Sequence, residues 1–161
     1  MQMFIVATLG YILSADGTQV LMIHRNKRQD DIHFGKYNGL GGKMAADEDI
    51  VSCMKRELYE ESGLHADALQ LRGTIAWPGF GKHDENWFGF VFLIDRWHGE
   101  AHAGNAEGTL EWVPLTQLAQ LNLWPSDHKF LPLVFDNDPR PFHGIMPFHD
   151  GAMVSWSYQR L

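Results

Sequence analysis

The segment GGKMAADEDIVSCMKRELYEESGL, Gly41 to Leu64, constrains this chain more than any other. It joins a glycine turn to a capped helix whose charge pattern an ordinary surface helix does not need. Residues 48–62 read as the helix: Asp47 is placed to act as N-cap, Glu48 and Asp49 sit in the first turn, and Gly63 supplies a left-handed C-terminal cap. Val51, Met54 and Leu58 recur at helical spacing and are expected to face a core. At roughly 100° per residue, Glu57, Glu60 and Glu61 fall within about a quarter-turn of one another. Like charges at such spacings destabilise a helix. A hard divalent cation turns that cost into a binding site, because Mg²⁺ takes oxygen ligands and shares them with substrate phosphates. Taken alone, E-x-x-E-E is a solvated acidic face, since a short motif without context carries a high false-positive risk.

The context is specific. Gly39-Leu40-Gly41-Gly42-Lys43 forms a turn whose backbone approaches a metal or a phosphate without a Cβ in the way. Gly42, Glu48, Arg56-Glu57-Leu58, Glu60-Glu61 and Gly63-Leu64 together spell G-x5-E-x7-R-E-U-x-E-E-x-G-U, with U aliphatic. At average residue usage a chance match falls below about one in a million. The pattern is that of the Nudix box, and the chain resembles the Nudix hydrolases. The resemblance implies an α+β fold, the α/β/α Nudix sandwich with a mixed sheet between helical layers. It implies that Glu57, Glu60, Glu61 and the carbonyl of Gly41 hold Mg²⁺ (or Mn²⁺). It also makes Arg56 the residue that orients the glutamates by charge-assisted hydrogen bonds, with Glu48 as a supporting partner.

Bulk properties agree. The 161 residues suit one domain, 1–161, long enough to bury a substantial core, and 45% hydrophobic content is ordinary for a globular protein. No apolar run reaches membrane-spanning length, and MQMFIVATLGYIL lacks a basic leader and reads as a strand. Cys53 is the only cysteine, so no intrachain disulfide is possible, and a reducing, cytoplasmic setting is expected. A net charge of −7 argues against a stable nucleic-acid partner yet is compatible with a polyphosphate substrate, because bound metal reverses the local field. Strands are expected at 3–14, 19–25, 69–77, 87–95 and 109–114, helical segments at 115–121 and 127–135, and a closing hairpin over 142–149 and 152–159 that turns at Asp150-Gly151. A sheet with one central and one late helix fits the sandwich.

Segments outside the box narrow the resemblance to the oxidised-purine nucleoside triphosphatases of that family. Tyr37-Asn38-Gly39-Leu40-Gly41-Gly42-Lys43 is similar to their W-N-G-F-G-G-K stretch, and Trp124-Pro125-Ser126-Asp127 to their W-P-D-D segment; Phe142-His143-Gly144 resembles their C-terminus. By position, the resemblance makes Asn38 a reader of the base edge, Trp124 a stacking surface, and Trp77 and Trp87 apolar walls. Asp127 and Lys43 join them on the substrate side. An amide offers donor and acceptor, and an indole a broad π face. The plainer alternatives are core burial for the tryptophans and a simple Asn-Gly turn for Asn38. Ser126 stands where the relatives carry the first of two acids, which leaves Asp127 to read the base alone or merely to cap a helix.

Glu107, five residues before Trp112, matches a downstream glutamate that binds metal or assists catalysis in relatives. Glu111 is the rival, expected to face solvent by strand alternation. Arg25, Lys27 and Arg28 precede the glycine turn and are either phosphate contacts or solubilising loop charges. His98 and His102 loosely resemble zinc ligands, but one cysteine and no second ligand pair argue against a structural zinc site. The expected activity is Mg²⁺-dependent hydrolysis of a purine nucleoside triphosphate such as 8-oxo-dGTP to monophosphate and pyrophosphate, with Glu57 or Glu107 as the base. Alternatives are another nucleoside diphosphate derivative (ADP-ribose, a dinucleotide, an unmodified dNTP) or a non-catalytic binding module. The protein is expected to act as a monomer or homodimer with no membrane partner.

Overall fold

The computed structural model describes all residues, 1–161. Strands β1 (Phe4–Leu13), β2 (Gln19–His24) and β3 (Tyr37–Asn38) precede helix α1 (Ile50–Ser62). Then follow β4 (His65–Trp77), β5 (Asn86–His98), β6 (Thr109–Pro114), a 3₁₀ turn at Leu115–Gln120 and helix α2 (Pro125–Phe135). The chain closes with β7 (Phe142–Ile145), β8 (Phe148–His149), β9 (Ala152–Met153) and β10 (Ser157–Arg160). The main sheet runs β10-β7-β4-β5-β1-β2-β3, with β6 along the other side of β2. It is mixed: β1 pairs β5 in parallel and β4 pairs β7 in parallel, while the remaining pairs are antiparallel.

Alternation along the strands sorts apolar side chains onto both faces. In β2, Val20 and Met22 enter a cluster with Tyr11, Val91, Phe130, Leu131 and Val134 beneath α2. Leu21 and Ile23 enter the other cluster, with Met54 and Leu58 of α1, Leu40, Phe92 and Ile94. A period of two on the strand puts neighbours on opposite faces, and full burial of one such side chain contributes about 1.5–3 kcal/mol. One helix on each face makes the α/β/α sandwich expected from the motif.

Some details differ from the sequence expectation. Helix α1 begins at Ile50, and its N-cap is Asp49, whose carboxylate accepts from the backbone of Val51 (2.9 Å) and Ser52 (3.0 Å). Asp47 lies two residues too early, and Glu48 is turned back to accept from the Ala45 amide at 2.8 Å. Val51 is exposed, and Cys53 takes the buried position beside Met54 and Leu58. The segment after β6 is a 3₁₀ turn, closed by the extended Leu121, and α2 starts two residues earlier than expected with Pro125 in its first turn. The closing hairpin does turn at Asp150-Gly151 as a two-stranded β8–β9 piece, while β7 and β10 join the main sheet. No helix is long and apolar enough to cross a membrane.

Candidate active site

The loop Asn38–Lys43 leaves β3 and is stitched antiparallel to β1. Thr8 N–H donates to the Gly42 carbonyl (2.9 Å), Leu40 N–H to Gly10 (3.1 Å) and Met44 N–H to Val6 (2.9 Å). That approach is what the glycines permit. A Cβ on Gly41, whose φ is +151°, would sit 2.0 Å from the Thr8 carbonyl oxygen, and one on Gly42 would lie 2.5 Å from the Glu57 carboxylate. The loop therefore presses directly on α1.

Arg56 organises that contact. Its Nε and Nη2 bind the two oxygens of Glu48 (3.0 and 2.6 Å), its Nη1 binds Glu57 (2.8 Å) and Glu60 (3.2 Å), and its Nη2 also reaches the Lys43 carbonyl at 3.2 Å. The guanidinium and the Ala45 amide hold the Glu48 carboxyl down at about 2. Glu61 lies behind, one turn after Glu57, and accepts a 3.4 Å bond from Gly41 N–H. Burial first, then the charge and hydrogen bond of Glu57, push the Glu61 carboxyl up to about 8; Gly41 pulls it down and Glu107 adds to the rise. At neutral pH the Glu57–Glu61 pair thus favours holding a proton. A close carboxyl pair held this way under a glycine loop is an all-oxygen donor set that fits a hard divalent cation, which would take the proton's place. Glu60 is the most exposed of the three glutamates.

Glu107 projects from the loop before β6 and is held by Arg25 at 2.8 Å; Arg25 also grips Asp31 at 2.6 Å. Lys27 is tied to the Asn105 carbonyl at 2.6 Å, and Arg28 leans toward Asp30 at 3.8 Å. These bases brace the loops around the site. Asn105 completes the brace by donating to the Glu61 carbonyl at 3.3 Å. Glu111 is not a free surface acid: it contacts His24 (2.8 Å), Thr109 (3.0 Å) and the Tyr37 hydroxyl (3.3 Å). Strand alternation alone did not anticipate those partners.

Apart from Asn38, the expected base-binding residues form two groups, one around Trp77 and Trp87 and one around Trp124 and Asp127. Trp77 and Trp87 face each other across β4 and β5, Phe80 packs on both, and the Lys43 ammonium lies 5.1 Å from the Trp87 ring. Lys43 follows Gly42, so one residue of the loop touches Glu57 and the next reaches the aromatic wall. The Trp87 indole N–H is buried without a partner. In the second group, Trp124 ends the approach to α2 and Asp127 stands in the helix's first turn. Burial pushes the Asp127 carboxyl up to about 7, with Lys36 opposing the rise. Asn38 is half-buried, opposite Ile23 in the β2–β3 pair. The residue that sequence reasoning missed here is His33, whose Nδ1 accepts the Trp124 indole N–H at 2.8 Å. Nothing in the local pattern of the 26–36 loop signals a partner so far along the chain.

Comparison with known proteins agrees with this geometry. Residues 3–134 match the NUDIX domain model, and the chain belongs to the Nudix family. It is a Nudix hydrolase, of the class that cleaves phosphoanhydride bonds. It is 35% identical over 128 residues to the oxidized purine nucleoside triphosphate hydrolase of Mus musculus, covering 79% of this chain and 80% of that one. The enzyme of the same name from Danio rerio is 33% identical over 118 residues, 72% of this chain and 73% of its own. The crystal structure of a MutT protein from Bacillus halodurans superposes with a TM-score of 0.80 over 96% of this chain and 97% of that chain, at 24% identity, which shows the shared fold.

Proposed function

We propose that this Nudix hydrolase cleaves oxidised purine nucleoside triphosphates to monophosphate and pyrophosphate, removing them from the nucleotide pool of the cytoplasm. The observation that carries the reading is the glycine loop. It packs Gly42 on Glu57 and sends Lys43 to the Trp87 wall, so one short segment spans the carboxylates and an aromatic surface. The likeness to the mouse and zebrafish hydrolases over more than two thirds of each chain supports the substrate class. In this reading residues 1–161 work as one unit, a monomer or homodimer, on a free nucleotide rather than a nucleic acid or a membrane.

Glu57, Glu60, Glu61, the Gly41 carbonyl and Glu107 are the residues that would hold Mg²⁺. When bound there the ion supplies neutralisation of phosphate charge and acidification of a water. The chain's own groups do the rest. Glu57 or Glu107 accepts the proton of the attacking water as its oxygen bonds to phosphorus, and the phosphoanhydride bond breaks with pyrophosphate leaving. Arg56 keeps Glu48, Glu57 and Glu60 in register, so that no carboxylate has to reorganise during the step. Lys43 offers a cation to a phosphate, Trp124 a face to the purine, and Asp127 and Asn38 hydrogen bonds to its edge.

The test is pyrophosphate release with Mg²⁺ from 8-oxo-dGTP, 2-hydroxy-dATP, dGTP and dATP. A preference in kcat/KM of about a hundredfold for an oxidised purine, about 2.7 kcal/mol, is expected. Turnover without preference keeps the Nudix chemistry and, with Ser126 in place of an acid, redirects the search to unmodified dNTPs, ADP-ribose or dinucleotides.

A further inference from the structure

Trp124 sits at the N-terminal boundary of α2 with extended backbone, and its side chain makes no capping bond to the helix. Its orientation is therefore set from outside. The indole N–H is a donor only, so the His33 Nδ1 at 2.8 Å must be its acceptor, and the His33 proton resides on Nε2. The two rings meet edge-on, 5.3 Å between centroids at 85°. The Lys36 ammonium lies 5.1 Å from the indole centroid and donates to Asn122 Oδ1 at 3.0 Å.

His33 is itself held firmly. Its amide donates to Asp31 Oδ1 (3.0 Å), and its carbonyl accepts from Lys36 N–H (2.8 Å). Asp31 is clamped by Arg25. Asn122 locks the same loop by donating to the Gly35 carbonyl at 2.9 Å and accepting from Tyr37 N–H at 2.9 Å. The 31–37 segment is thus a bracket with the imidazole at its tip. Burial, then the Arg25 charge, lower the His33 pKa against the opposing pull of Asp31 and Glu107. The ring stays neutral and able to accept at pH 7.

We propose that His33 is the positioning residue of the purine site, its neutral imidazole fixing the plane of the Trp124 indole on which the base stacks. The proposal rests on the assignment of Trp124 as the stacking residue. It concerns binding of the base, so its loss acts on KM and leaves kcat nearly unchanged. A neutral hydrogen bond of this kind contributes about 0.7–1.4 kcal/mol, which corresponds to a KM change of about three- to tenfold.

The experiment compares wild type with His33→Phe, which keeps a ring and removes the acceptor. It includes His33→Asn, which keeps an acceptor that does not titrate, and Trp124→Leu. Steady-state kinetics on the preferred purine triphosphate is paired with ¹⁵N NMR of the Trp124 indole N–H. Expected are a KM raised three- to tenfold in His33→Phe at similar kcat, recovery to within about twofold in His33→Asn, and a larger KM increase in Trp124→Leu. As pH falls through the His33 titration, the wild-type indole resonance shows a shift that is absent from His33→Asn, beyond any shift that both share through Asp127. Arg25, Asp31, Lys36 and Glu107 around the ring are unchanged in that pair, and Asp127 titrates equally in both. If His33→Phe keeps wild-type KM while Trp124→Leu raises it, the positioning role is overturned and the stacking assignment survives. If Trp124→Leu also keeps wild-type KM, the stacking assignment falls and the proposal with it. A KM that His33→Asn fails to recover, with an indole resonance insensitive to His33, also overturns it.

Discussion

Glu57 and Glu61 stand one helical turn apart on α1, and burial and the first raise the carboxyl of the second to about 8, so the pair favours holding a proton. In the proposed mechanism each acts as a carboxylate once a cation has displaced that proton. Glu57→Gln or Glu61→Gln is expected to lower kcat by at least about 10²-fold with the far-UV spectrum unchanged; activity within tenfold of wild type for both would remove them from the mechanism. Asp127 allows a second test, of stability. Its folded pKa, about 7, lies above the ordinary 3.8, so the folded state binds the proton more tightly than the unfolded chain does. That contribution is fully present below about pH 4 and is lost as pH rises through 7, at up to about 1.4 kcal/mol per unit across the window. Urea unfolding from pH 5 to 8 should show wild type losing stability relative to Asp127→Asn, and parallel curves would contradict the burial argument. The glutamates were legible in the sequence because a helix turns the spacings E-x-x-E-E into one face. Their proton was not, since it depends on the loop that closes over them.

Among the elements, α1 was readable from its own residues, an acidic cap, an apolar stripe and a glycine stop, although Glu48 and Asp49 precede its first turn rather than forming it. Its cap was harder, because Asp47, Glu48 and Asp49 are adjacent acids, and only the backbone decides which carboxylate meets the free amides. Helix α2 is secured by a residue its sequence does not contain. Arg72 of β4, almost fully buried, donates to the carbonyls of Val134 (2.9 Å), Leu133 (3.2 Å) and Asp138 (2.9 Å) and to the Asp136 carboxylate (2.9 Å). It satisfies the unpaired end of the helix and ties it to the sheet. Arg72→Met is expected to cost about 3 kcal/mol or more, by leaving the carbonyls and a carboxylate without their partner. Chemical denaturation measures it, and a loss below about 1 kcal/mol would show the bonds to be dispensable.

For the molecule as a whole, the proposed cation site would link ion binding to the stability of the fold. In the proposed site, a divalent ion entering among Glu57, Glu60 and Glu61 at pH 7 displaces the proton held by the Glu57–Glu61 pair. Titration calorimetry with Mg²⁺ in buffers of different ionisation enthalpy should report release approaching one proton per protein at pH 7 and little at pH 9. The same ion should raise Tm in wild type and not in Glu57→Gln; release independent of pH would place the ion elsewhere. What the sequence by itself determined is the set of local statements: strand alternation, one helix and its stop, the glycine turn, and the family whose box these residues spell. Each depends on spacings within a few residues, where backbone geometry converts sequence directly into direction. What only the tertiary structure decided joins distant parts: Arg25 to Glu107 across 82 residues, Trp124 to His33 across 91, and Arg72 to Val134 across 62. Such pairs form because the mixed sheet brings their strands and loops together, and no local periodicity records which loop will meet which.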